Sequence, residues 1–152
     1  MSTIRAIGLG AISGLRSMSG PASVARAARD GRIDLDGTRL SSLASPRVAT
    51  VLTILQAGEV VGDKLPFAPG RTTLPPLLGR AGAGALVGAA VSDDGGDPVG
   101  ALLAAASAVA AAFAGERLRA AVVAKTGAPD ILAAVGEDIV VFSVAAALLR
   151  KD

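Results

Sequence analysis

The 152-residue sequence lacks cysteine, histidine, tryptophan and tyrosine entirely. Without cysteine the chain has neither a disulfide framework nor a thiolate metal site, and without histidine it lacks the commonest metal ligand and general base. Hydrolytic triads are therefore excluded, and we expect neither a metal nor any other cofactor. We predict that the protein is not an enzyme, although carboxylates alone can perform acid-base chemistry.

Aromatic residues are nearly absent, since only Phe67, Phe113 and Phe142 are present. Nucleic-acid binding is disfavoured, because the chain has almost nothing to stack on bases and its basic residues are scattered. The missing tryptophan and tyrosine also argue against a membrane protein, whose interfaces these residues usually mark.

The apolar content argues more strongly in the other direction. The sequence is 51% apolar and 18% charged, with a mean hydropathy of +0.56. This composition predicts one helical domain in a membrane, spanning residues 1–152. The alternative is a soluble, alanine-rich helical domain, which would stay in solution without detergent.

Five apolar segments separated by polar turns predict the fold. An all-α integral membrane bundle of about five segments follows from their lengths. The fourth segment is uncharged to Gly115, and its helix is expected to continue to Lys125. The segments comprise residues 4–28, 46–65, 74–92, 98–115 and 129–149.

The first segment contains a helix breaker. Arg16 lies near its centre and Gly20-Pro21 follows. Proline lacks the backbone donor and its ring clashes with the preceding turn, so a kink or break is expected at this pair, and with it a broken first helix. Two small-residue patterns, Gly10-x-x-x-Gly14 and Gly84-x-x-x-Gly88, predict close helix packing.

A faint internal repeat relates the two halves of the chain. Residues 11–16 (AISGLR) resemble residues 112–117 (AFAGER), and each is followed by a proline-initiated segment that holds a Gly-Glu pair. The repeat would pair unit 4–65 with unit 98–149, with residues 74–92 as a linker helix. Because the linker is a single membrane span, the second unit would be inverted relative to the first, as in many transporters. This arrangement would place Arg16 and Arg117 beside Glu59 and Glu137 at mid-membrane.

Membrane orientation does not follow from the loop charges. Counting lysine and arginine on alternate sides of five spans gives a tie, which assigns no inside and allows a dual topology with an antiparallel dimer. One side holds Arg5, Lys64, Arg71, Arg80, Arg117, Arg119 and Lys125. The other side holds Arg26, Arg29, Arg32, Arg39, Arg47, Arg150 and Lys151.

Residues 57–66 (AGEVVGDKLP), with Gly14-Leu15-Arg16 before them and Glu137-Asp138 late in the chain, resemble an uncharacterised bacterial membrane family, domain of unknown function 4126. The most specific piece is the pattern of Glu59, Asp63, Lys64 and Pro66. The resemblance covers nearly the whole chain. It implies a multi-pass helical protein of the bacterial inner membrane and brings no established activity.

Carboxylates inside the apolar segments are the candidate site. A charge near the bilayer centre costs roughly 2.5 to 3.5 kcal/mol on insertion scales, so such residues usually mark a pathway or an ion pair. Glu59 and Asp63 share a helical face and would suit a cation, a proton or a cationic substrate. Glu137 and Asp138 point about 100° apart, so at most one faces a narrow pathway.

Each of these residues also has a structural interpretation, as a member of an ion pair that holds the bundle together. Arg16 in particular fits pairing with Glu59 or Glu137 better than recognition of an anionic group. The predicted ion- or substrate-binding residues are Glu59, Asp63, Glu137, Asp138, Arg16 and Arg117.

Two functions remain open at this point. The first is a transporter or channel-like protein for a small ion or polar solute, with Glu59 and Glu137 as the central site. The second is a non-transporting structural or partner-binding membrane protein, in which the same charges are assembly pairs. The expected partners are membrane lipid, a small ion or solute, and further copies of the chain, with a dimer favoured because a thin bundle has little interior for its charges.

Overall fold

Helices are the only regular secondary structure in the described part of the chain. A computed structural model describes residues 2–62, 72–92, 96–127 and 129–150, and within them it contains six α-helices, one 3₁₀ helix and no strand. The all-α prediction is confirmed. The α-helices are α1 (Ser2–Leu15), α2 (Ser19–Arg29), α3 (Pro46–Gly62), α4 (Leu74–Val91), α5 (Pro98–Thr126) and α6 (Asp130–Leu148), and the 3₁₀ helix is Ser41–Ala44.

The distribution of side chains on the helices indicates a membrane protein. α4, α5 and α6 are long and apolar enough to cross a membrane. The outer faces of α5 and α6 carry large apolar side chains, among them Leu102, which is 71% exposed, and Ile139, which is 63% exposed. The buried face of α5 carries only small residues, which are Gly100, Ala104, Ala108, Ala112 and Gly115. Small residues inside and large ones outside suit a lipid environment.

The two glycine patterns form the tightest helix contacts. A Cβ atom on Gly10 or Gly14 of α1 would overlap the backbone of Ala104 or Ala108 in α5. Gly84 and Gly88 bring α4 against the same face of α5. The predicted packing is therefore confirmed, and α1, α4 and α5 form a closely packed trio.

The first helix is broken as predicted, but the break lies earlier than expected. α1 ends at Leu15 and α2 begins at Ser19, so the break comprises Arg16–Met18 and precedes Gly20-Pro21. A proline ring clashes with the carbonyl four residues before it, here that of Ser17, so the helix has to end before that position. Pro21 then lies in the first turn of α2, where no intrahelical donor is needed.

α1 and α2 form a hairpin rather than a kinked span. Gly20 of α2 packs against Ser13 of α1, where a Cβ on Gly20 would overlap Ser13 Oγ. Gly8, near the start of α1, packs against Leu148 at the end of α6. Arg32, just after α2, reaches the same end, where its Nη1 donates a hydrogen bond of 3.4 Å to Leu149 O. The chain thus enters the bundle, turns at residues 16–18 and returns to the same end.

We call this end the basic end, because Arg5, Arg32 and Arg150 line one pocket there. Two buried leucines, Leu35 and Leu43, come from the connection that covers it between α2 and α3. The turn at Ile33 to Gly37 is formed by the Asp34 carboxylate, which accepts a hydrogen bond from Asp36 N at 2.9 Å.

The predicted inverted repeat is not confirmed. It requires α1 and α5 to run in opposite directions, yet Gly10 pairs with Ala104 and Gly14 with Ala108, so the two helices are parallel. α5 is also one unbroken helix of 29 residues, unlike the hairpin to which it would correspond. The predicted linker helix, α4, packs in the centre against both α1 and α5.

Candidate functional site

The hairpin tip, Arg16–Met18, holds a carboxylate from another helix. Glu59 Oε1 accepts hydrogen bonds from Ser17 N and Ser17 Oγ, both at 2.7 Å, and Glu59 Oε2 accepts one from Met18 N at 2.8 Å. These backbone N–H groups precede the first turn of α2, where an α-helix leaves its donors unsatisfied and carries partial positive charge. Glu59 therefore caps α2 from outside the hairpin.

Arg80 of α4 performs the complementary task at the end of α1. Its Nη1 donates to Gly14 O at 2.8 Å and to Leu15 O at 2.9 Å, two of the carbonyl groups left without helical partners. Its Nη2 lies 3.8 Å from Glu59 Oε1. One guanidinium thus joins the negative end of α1 to the carboxylate on the positive end of α2.

Arg16 anchors the hairpin tip to α6. Its Nη2 lies 2.7 Å from Asp138 Oδ1, and its side chain is fully buried while that of Asp138 is 12% exposed. Arg16 thus forms an ion pair, but its partner is Asp138 and not Glu59 or Glu137, as the sequence suggested. A charge pair this deep needs such direct contact because removal from water costs each ion several kcal/mol.

The hairpin tip lies near the middle of the bundle. Gly14 packs against Ala108, and Leu15 shares a pocket with Gly115. At 1.5 Å per residue these α5 positions lie about 15 and 26 Å from the start of α5, which is about 43 Å long. The hydrocarbon core of a bilayer is about 30 Å thick, and the tip lies well inside a span of that length.

A second polar layer lies between α2 and α3 on the side of the basic end. Arg26 Nη1 donates to Gln56 Oε1 at 2.8 Å and to Thr53 Oγ1 at 3.1 Å, and Gln56 Nε2 donates to Ser19 Oγ at 3.1 Å. These bonds hold the two helices in register. They also fix the position from which Glu59, less than one turn beyond Gln56, reaches the hairpin tip.

Comparison with known proteins gives a family and no relative of known activity. The family model described as Domain of unknown function (DUF4126) matches residues 4–150. The chain belongs to this family. A search of curated proteins and a search of solved structures each return no match.

In this DUF4126 protein, three of the predicted site residues meet at the hairpin tip. Arg16 belongs to the tip itself, Glu59 caps it and Asp138 pairs with it. Glu137 lies beside them on α6 but faces α5. Asp63 lies outside the described residues.

Arg119 occupies the place predicted for Arg117. Its Nη1 lies 4.0 Å from Glu137 Oε2, and its Nε donates to Asp130 Oδ1 at 2.6 Å. Arg117 is exposed and borders a surface pocket with Glu116. The reason is geometric, because residues 117 and 119 point about 160° apart on a helix.

A largely apolar pocket of about 260 Å³ lies between α5 and α6 beside Glu137. Leu15 from the end of α1 reaches into its wall, together with Gly115 and Val140. The pocket places one carboxylate in apolar surroundings close to the hairpin tip.

Sequence reasoning missed Arg80, Ser17 and Arg119. The sequence signal that indicates Glu59, a charged residue within an apolar segment, applies equally to Arg80. The structure places Arg80 in the interior, where it is only 4% exposed. Ser17 has no comparable signal, since its backbone N–H becomes important only because the helix breaks there.

The cation interpretation of Glu59 conflicts with its contacts. Both carboxylate oxygens accept hydrogen bonds, and a guanidinium lies beside one of them. A cation would have to compete with these donors for the same two oxygens. In the described ranges no group of three or more acidic residues is placed to hold a metal ion.

Proposed function

We propose that the protein is a transporter or channel-like protein for a small ion or polar solute, located in the bacterial inner membrane, and that the hairpin tip is its binding site. One observation carries the proposal. The carboxylate of Glu59 caps a helix break halfway through the bundle, where Arg16 and Arg80 add two buried positive charges.

A helix break in a lipid environment is unfavourable and therefore indicates a specific structural or functional role. Backbone groups in hydrocarbon must be satisfied internally, and irregular backbone at membrane depth is found where it is buried in protein or lines a cavity. In many transporters, paired half-helix ends near the midplane hold the solute. The hairpin tip has this arrangement, with the end of α1 and the start of α2 facing Arg80 and Glu59.

α3 is the element best suited to open the tip. In the part of the chain that the structure describes, it packs mainly against α2 and the 3₁₀ helix. Ala49 and Gln56 are its only buried residues between Pro46 and Gly62. An outward movement of its C-terminal half would withdraw Glu59 and expose the donors of the hairpin tip.

Flux measurements test the proposal. Protein reconstituted in liposomes would be assayed for K⁺, Na⁺, proton, chloride and acetate flux, with Glu59→Gln as the test variant and Glu116→Gln, an exposed carboxylate on α5, as the matched control. We expect Glu59→Gln to lose at least about tenfold in the flux of the transported ion, because a neutral amide cannot balance the buried arginines when the solute leaves the tip. Absence of flux for every ion with the unmodified protein contradicts transport.

The structural alternative rests on a different observation. The pairs Arg16–Asp138 and Arg119–Glu137 join α6 to the hairpin tip and to α5. In this alternative Glu59→Gln and Glu137→Gln weaken folding or assembly without any flux to lose. A homodimer is part of both functions as a prediction, and size-exclusion chromatography with light scattering on the same variants separates them.

A further inference from the structure

The hairpin tip is built to hold an anion, and we infer that the solute is a small carboxylate or related oxyanion that binds in the position of the Glu59 carboxylate. The statement about transport rests on the proposed function, whereas the statement about binding does not. Glu59 is thus a tethered competitor, which occupies the site until α3 withdraws it.

The donors around Glu59 define the chemistry. Two backbone N–H groups and one hydroxyl lie within 2.7 to 2.8 Å of its two oxygens, and a guanidinium nitrogen lies 3.8 Å away. A planar oxyanion can accept bonds on two oxygens in this way, as the side chain does. The contacts therefore come from the start of α2, from a side chain of the tip and from α4.

The charges that remain after Glu59 is withdrawn favour an anion. Arg16 and Arg80 together contribute two positive charges, and Asp138 supplies one negative charge through its pair with Arg16. The net local charge becomes positive, and the partial positive charge at the start of α2 adds to it. A cation in this position would meet repulsion from this net positive charge.

Displacement of the side chain is sterically open. Among the described residues, no atom lies within 4 Å of where a Cβ would be on Gly58 or Gly62, the glycines on either side of Glu59 in α3. The Glu59 side chain is 12% exposed, so the site is shielded but reachable. An incoming monovalent anion replaces one negative charge by another, so the exchange leaves the buried arginines compensated.

Chemical rescue tests the inference. Glu59→Ala empties the site, and sodium formate or sodium acetate is then titrated into the purified full chain in detergent, with sodium chloride at equal concentration as the salt control. We expect the thermal midpoint to rise with the logarithm of the formate concentration, by about 4 °C at ten times the Kd. The unmodified protein and Glu116→Ala should respond far less than Glu59→Ala, because in both the Glu59 carboxylate competes with formate for the site.

Glu59→Gln covers the case in which Glu59→Ala does not fold. A neutral amide is easier to displace than a carboxylate, so its response to formate should lie between those of the unmodified protein and of Glu59→Ala. Amide hydrogen exchange at Ser17 and Met18 should slow on formate addition. An unchanged midpoint and unchanged exchange in both variants overturn the inference.

The outcomes separate this inference from the proposed function. Formate rescue without flux of any ion supports the anion site and contradicts transport. Cation flux without formate rescue supports transport and overturns the anion assignment. Acetate flux that is lost in Glu59→Gln, together with rescue of Glu59→Ala, supports both.

Discussion

The Arg16 guanidinium lies 2.7 Å from the Asp138 carboxylate and joins the hairpin tip to α6, with the arginine side chain fully buried. The contact sets the depth at which the chain turns back, since it fixes the tip beside the middle of α6. The two residues are 122 positions apart in a chain of 152. The tip therefore depends on the last helix of the chain to be placed.

Removing one partner of this pair should destabilise the protein more than replacing both partners with apolar residues. We expect Asp138→Leu to destabilise the protein by about 3 to 5 kcal/mol, because it leaves the Arg16 charge buried without its carboxylate. The double variant Arg16→Met with Asp138→Leu should recover most of that loss. Unfolding in mixed micelles with increasing dodecyl sulfate measures both.

The exposed pair of Arg29 and Asp30 supplies the control. Its Nη2 to Oδ1 distance is 3.0 Å, and both side chains are more than 40% exposed. Asp30→Leu should leave the unfolding midpoint unchanged, since exposed pairs contribute little. A double variant as unstable as the sum of its two single variants contradicts a pair at this position.

Glycines at the helix contacts of the central trio should not tolerate an added methyl group. Gly14→Ala places a Cβ on the backbone of Ala108, and α1 and α5 can relieve the overlap only by moving apart, at a cost of about 1 to 3 kcal/mol. Gly82→Ala, in α4 with open space around it, is the matched control and should be neutral or slightly stabilising, because alanine is the better helix former. Thermal unfolding of the two variants measures the difference.

Much of this helix packing followed from the sequence. The patterns at Gly10 and Gly84 predicted close contacts because only small residues allow backbones to approach. The helix breaker at Pro21 predicted a broken first helix because proline acts locally. The uncharged run after Pro98 predicted α5, and its continuation to Lys125 is also confirmed.

The direction of the chain after the break did not follow from the sequence. A proline predicts that a helix ends, but tertiary contacts decide whether the next helix continues across the membrane or returns. Here Ser13, Gly20 and the pair with Asp138 make it return. The assignment of Arg117 as a counter-charge failed for a similar reason, since the rotation of α5 about its axis selects Arg119.

Lipid contact on α6 can be tested with one charge at two depths. Ile139 and Leu132 are both well exposed on α6, but Ile139 is at its centre and Leu132 is near its start. Ile139→Arg should reduce membrane insertion by about 2.5 to 3.5 kcal/mol, whereas Leu132→Arg can reach the interface and should cost far less. Glycosylation-tagged insertion in microsomes measures both, and equal insertion of the two variants would favour a soluble fold.

The re-entrant hairpin breaks the tie in the loop charges. α1 begins and α2 ends at the same end of the bundle, so Arg5 lies on the same side as Arg26, Arg29 and Arg32. Arg80 is buried and is therefore not counted as a loop charge. Among the described residues the basic end carries Arg5, Arg26, Arg29, Arg32, Arg39, Arg47 and Arg150. The opposite half carries Arg117, Arg119 and Lys125.

This asymmetry predicts a single orientation with the basic end in the cytoplasm, since loops rich in lysine and arginine stay inside. The absence of native cysteine makes labelling direct. Ser41→Cys at the basic end and Ala124→Cys near the opposite end are both exposed. An impermeant maleimide added to intact spheroplasts should label Ala124→Cys, and it should label Ser41→Cys only after permeabilisation. Comparable labelling of both cysteines before permeabilisation would instead establish dual topology, because the same side would then face outward in only part of the population.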